Sequence, residues 1–87
     1  MEQYERFTSE EYYETSGQVK KYLTMFICQA DYTDELSFYK SLDVLTNKYY
    51  DELEDKNNTE ALKTSRELIL KMGMPEAKKV LLVISRK

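Results

Sequence analysis

The feature that most narrows the fold is a run of apolar side chains, Phe38, Leu42, Leu45, Tyr49 and Leu53, at steps of four, three, four and four residues. A helix turns every 3.6 residues or so, which puts all five on one stripe. A strand would throw them onto both faces. Asp31 or Thr33 can cap this segment, and Asp34 and Glu35 place negative charge in its first turn. It is expected to stop near Asp55, where Lys56, Asn57, Asn58 and Thr59 read as a polar turn that supplies the next cap.

Two other stretches carry helical spacing. From about Ser9 to Ala30, a Thr8 to Glu11 capping box precedes Tyr12, Ser16, Val19, Leu23, Phe26 and Ala30 at steps of four and three. One long helix is expected there, with Gly17 as its weak point. From about Thr59 to Met72, Leu62, Ser65, Ile69 and Met72 share a face, flanked by Ala61 and Leu68. Gly73 is suited to end that helix, and Pro75 to open a short fourth one through Ser85. Short connections between amphipathic helices predict an all-α fold, a small antiparallel bundle of three to four helices. The alternative is an α+β domain in which the β-branched and aromatic stretches 22–28 and 80–84 pair as strands.

The 87 residues contain no Gly/Ser/Pro-rich linker and no repeat, so one helical domain spanning 1–87 is expected. The longest apolar run, Val80 to Ile84, is far below the roughly 20 residues that cross a bilayer, so no membrane partner is expected. The opening residues lack the basic start and apolar stretch of a signal peptide, and Cys28 is the only cysteine. Both point to a cytoplasmic protein. Cys28 follows Met25, Phe26 and Ile27, and is expected to be a buried, inert thiol.

Composition removes most chemistry. The chain has no histidine, the usual general base near neutral pH, and one cysteine cannot assemble an ordinary zinc site. Its two glycines, Gly17 and Gly73, stand too far apart for a phosphate-binding loop. A calcium loop begun at Asp51 would carry Lys56 where glycine is required and Leu62 where glutamate belongs. Glu10, Glu11 and Glu14, like Asp51, Glu52, Glu54 and Asp55, read as solvated helix faces. No enzyme activity, cofactor or metal is expected.

Two features remain to carry a function. Tyrosine occurs eight times, including the adjacent pairs Tyr12, Tyr13 and Tyr49, Tyr50. Neighbours on a helix diverge by about 100°, so when Tyr12 and Tyr49 face the core, Tyr13 and Tyr50 lie outside it. With the acidic Asp51 and Glu54, those outer tyrosines form the expected contact surface of a non-catalytic protein-binding module: an inhibitor, immunity protein, adaptor or small regulator. Self-association as a homodimer is expected through the apolar run 80–84.

The second feature is charge asymmetry. Residues 1–60 hold 14 acidic and 6 basic side chains, whereas residues 61–87 hold 2 and 7. Gly73 between helical segments resembles the turn of a helix-turn-helix, with Leu68, Met72, Met74 and Leu82 at core-type positions. The alternative function is therefore a small DNA-binding regulator using Lys78, Lys79, Arg86 and Lys87. Nucleic acid is the less favoured partner. Ile69 stands where that motif takes a small residue and Lys79 where it takes an apolar one, and the whole chain carries net charge −3.

Overall fold

Thr8 begins the first helix as its capping box predicts. The Glu11 N–H donates to Thr8 Oγ1 at 3.3 Å, and the Thr8 N–H donates back to Glu11 Oε1 at 3.0 Å. The computed structural model of the chain describes residues 7–53 and 56–85. They form four helices and no strand: α1 (Ser9–Glu14), α2 (Gly17–Gln29), α3 (Glu35–Glu52) and α4 (Lys56–Ser85). The fold is a small all-α bundle, and the strand alternative is excluded.

The stretch expected as one helix from Ser9 to Ala30 is two. Thr15 and Ser16 adopt extended backbone, and Gly17 follows with φ +70°. The periodic stripe is consequently interrupted. Tyr12, Leu23 and Phe26 are buried, while Ser16 serves as the exposed N-cap of α2. Tyr12 still reaches the second helix, its hydroxyl 2.7 Å from Thr24 Oγ1.

Asp34, rather than the expected Asp31 or Thr33, caps α3 by accepting the Ser37 N–H at 2.8 Å. Just before it, Asp31 accepts both the hydroxyl and the backbone N–H of Thr33, which hold its carboxyl below the ordinary value. The Tyr32 hydroxyl donates to the Ile27 carbonyl, and burial pushes its pKa above the usual tyrosine range. This link therefore stays a neutral hydrogen bond that ties the α2–α3 connection to the end of α2. The α3 stripe is buried as expected through Phe38, Leu42, Leu45 and Tyr49, with Leu53 half-buried at its end.

The most extensive interface is between α2 and α4. From α2, Leu23, Phe26 and Ile27 are fully buried, and from α4, Leu62 and Ile69. Full burial of each such side chain contributes about 1.5–3 kcal/mol. Ser65 is the buried polar residue among them, lying 2.9 Å from the Val19 carbonyl and 2.7 Å from the Ala61 carbonyl. Its small side chain lets the helix backbones approach, and its hydroxyl spans the interface. Gln18 to Asn58 at 2.8 Å joins the same helices nearer solvent.

α4 breaks at Gly73, where φ is 82° and ψ is 165°. The expected end of one helix and start of the next is thus present, with Pro75 just inside the second arm. That arm, 74–85, packs inward through Ala77 and Val80, both fully buried. Leu82 and Val83 are 58% and 48% exposed, so the apolar run 80–84 is wrapped round a helix rather than alternating along a strand. The stretch 22–28 is helical for the same reason. Its buried residues, Tyr22, Leu23, Phe26 and Ile27, fall at helical spacing.

Candidate functional site

The tyrosine pairs divide as their spacing predicts. Tyr12 and Tyr49 are 3% and 6% exposed, whereas Tyr13 and Tyr50 are each 46% exposed. Tyr49 sits edge-on to Phe26 with centroids 6.3 Å apart, and Gln29 Nε2 donates to its hydroxyl. Those contacts fix the rotation of α3, which turns Tyr50 outward along the flank that faces α4.

Tyr50 there meets an open groove of about 510 Å³ between the two helices, lined by Asp43, Thr46, Asn47 and Tyr50 of α3 and by Lys63 and Arg66 of α4. Arg66 Nη2 donates to Asp43 Oδ1 at 2.6 Å across the groove. Lys63 Nζ lies 6.0 Å from the Tyr50 ring centroid, at the edge of cation–π range. One aromatic face, one amide, one hydroxyl and charges of both signs thus converge on an accessible hollow. Such a set suits recognition of a polar segment. Among the described residues no three His, Cys, Asp or Glu side chains come together to hold a metal.

The other predicted contact residues are placed unevenly. Asp51 is exposed next to Tyr50 in the chain but does not line the groove. Tyr13 lies on α1 with its ring 5.1 Å from that of Tyr12, and no ring contact among the described residues links it to Tyr50. Glu54, Arg86 and Lys87 lie outside the described residues.

Lys78 and Lys79 are exposed on the arm 74–85, and Lys79 Nζ is 3.7 Å from Glu76 Oε2. The helix-turn-helix alignment fits this arm poorly. Met72 is buried and Leu68 and Met74 are half-buried, but Leu82, aligned as a core position, is more than half exposed. The helices are also separated by the single non-helical residue Gly73, where that motif uses a turn of about three or four residues.

Cys28, expected to be buried, is exposed. It stands one helical step past Ile27, on the side of α2 opposite the Tyr22, Leu23, Phe26 and Ile27 face. A second hollow of about 660 Å³ opens at the α1–α2 joint, beside Lys20, Lys21, Thr24 and Met25. Sequence reasoning did not find it, nor Asp43, Thr46, Asn47, Lys63 and Arg66 of the α3–α4 groove. The surplus of basic residues beyond position 60 was the one signal of a cationic groove wall.

Comparison with known family models, curated proteins and solved structures finds no match to this chain.

Proposed function

We propose that this chain is a non-catalytic protein-binding module, of the inhibitor, immunity-protein, adaptor or small-regulator kind, and that it grips its partner at the α3–α4 groove. The observation that carries this reading is the half-exposed Tyr50 ring, held on a helix anchored by its buried Phe38, Leu42, Leu45 and Tyr49 face and bordered by Asn47, Thr46, Lys63 and Arg66. A tyrosine so placed adds a large amphipathic contact area with few rotatable bonds to immobilise. Asp51, exposed beside it, supplies charge at the rim. Tyr13 belongs to a separate surface and is secondary in this reading.

A cytoplasmic setting goes with the proposal, supported by the free, exposed Cys28 thiol, which a reducing compartment keeps unpaired. No helix among the described residues is long and apolar enough to cross a membrane. Self-association through exposed Leu82 and Val83 is part of the same reading. Sedimentation velocity that finds only monomer at high micromolar concentration removes that part.

Site-specific photo-cross-linking tests the main claim. A benzophenone side chain placed at position 50, and separately at position 79, is irradiated in native lysate with and without nuclease. Nuclease-resistant protein adducts at position 50 support the module. Adducts confined to position 79 and abolished by nuclease would replace it with the DNA-binding alternative, in which exposed Lys78 and Lys79 make the contact.

A further inference from the structure

We propose that the α3–α4 groove takes a carboxylate side chain of its protein partner on Lys63 and Arg66, and that Asp43 occupies Arg66 as an internal stand-in for it. This rests on the protein-binding reading and names the chemistry of the partner. The inference starts from the sign of the groove. Its α4 wall contributes two cations, while its α3 wall contributes Thr46, Asn47, Tyr50 and one carboxylate, Asp43. The hollow is therefore net positive, although the chain as a whole carries −3. An acidic segment of a partner is drawn to this part of an otherwise acidic molecule.

The two cations are placed to act on one group. Residues three apart on a helix are neighbours on its surface, so Lys63 and Arg66 extend into the groove side by side. Among the described residues no carboxylate lies within ion-pair distance of Lys63, whose ammonium rests instead near the Tyr50 ring. Arg66 touches Asp43 through Nη2 alone, and a guanidinium carries five N–H donors in a planar fork. A second carboxylate can thus bind beside Asp43 or replace it.

Replacement is a like-for-like exchange. The Asp43 and Arg66 side chains are 62% and 36% exposed, so the pair is solvated and weakly held. An incoming carboxylate that takes Arg66 also gains Lys63, which Asp43 does not reach, and Asn47 and Thr46 offer hydrogen bonds to the adjoining backbone. Asp43 thereby sets a threshold: partners that supply one well-positioned acidic side chain displace it, and neutral ones do not.

The test is a nuclear magnetic resonance titration of the isotopically labelled chain with an end-blocked tetraglutamate peptide, and with tetraglutamine as the control. The expected result is that the glutamate peptide shifts the amides of Tyr50, Lys63 and Arg66 more than those of Lys20, Lys21, Lys78 and Lys79, while tetraglutamine leaves them in place. Lys63→Gln and Arg66→Gln each weaken binding, and Asp43→Asn tightens it, by about two- to fivefold, the range set by single exposed ion pairs. Circular dichroism checks each variant, and Arg66→Lys, which keeps the charge, serves should Arg66→Gln disturb the helix pair. Equal shifts at all lysines, equal binding of tetraglutamine, or an Asp43→Asn variant that binds no tighter would overturn the proposal. Protein cross-links at position 50 without tetraglutamate binding overturn the carboxylate assignment and leave the protein-binding reading standing. Tetraglutamate binding without any protein cross-link at position 50 overturns the reading itself.

Discussion

Gly73 is the position where a single methyl group tests the fold most sharply. Its backbone, at φ 82° and ψ 165°, occupies a region that is essentially glycine-only. A Cβ built there meets only Pro75 Cδ at 3.8 Å, an ordinary contact. The cost of Gly73→Ala therefore lies in the backbone rather than in crowding. Holding a non-glycine residue in such a conformation costs about 1–3 kcal/mol, offset by about 0.4–1 kcal/mol from the reduced freedom of the unfolded chain. Mid-range values of the two leave a net loss of about 1–2 kcal/mol. Straightening the helix through residue 73 is no cheaper escape, because it pulls the fully buried Ala77 and Val80 from the core. Burial of a valine alone contributes about 1.5–3 kcal/mol. For a domain of this size the expected loss lowers Tm by about 4–16 °C. Urea unfolding followed by circular dichroism reads the loss, with an unchanged m-value showing that the native ensemble is the same. A loss below about 0.5 kcal/mol, or any gain, would refute the assignment of Gly73 as an obligatory break in α4.

The other expectations concern packing and exposure. Leu45→Ala should cost about 2–4 kcal/mol, whereas Leu36→Ala, at a residue 66% exposed on the same helix, should cost under about 0.5 kcal/mol; equal losses would mean that α3 is rotated from the orientation described. Cys28 in the native protein should react with a thiol reagent at close to the rate of the urea-unfolded chain, because it is exposed. Strong native-state protection would return it to the core.

Where a helix carries both a cap and an unbroken stripe, the sequence was enough to read it. Phe38, Leu42, Leu45 and Tyr49 are of this kind, and the same spacing separates Tyr49 from Tyr50, although the cap is Asp34 rather than the expected Asp31 or Thr33, and Leu82, aligned as a core position, is exposed. The break between α1 and α2 was harder to see, because Tyr12, Val19, Leu23 and Phe26 keep helical register across it. Only the extended backbone of Thr15 and Ser16 and the positive φ of Gly17 reveal it. Cys28 was misplaced by its apolar neighbours in sequence, since at about 100° per residue it falls on the side of α2 opposite the face that Tyr22, Leu23, Phe26 and Ile27 bury. The groove was legible only at Tyr50. Asp43 and Arg66 are 23 positions apart and meet only once α3 and α4 have packed, a relation that no local spacing encodes.

The central claim, that Tyr50 is the anchor of a protein-binding groove, is tested most directly by the affinity of the partner recovered by cross-linking for the Tyr50→Ala variant, measured by calorimetry beside wild type and Tyr13→Ala. A buried aromatic anchor at an interface contributes about 2 kcal/mol or more, which corresponds to a roughly thirtyfold weaker Kd when it is removed. The account predicts at least a tenfold or so loss for Tyr50→Ala, with the helical spectrum unchanged and Tyr13→Ala within about threefold of wild type. An unchanged Kd for a folded Tyr50→Ala variant would contradict it.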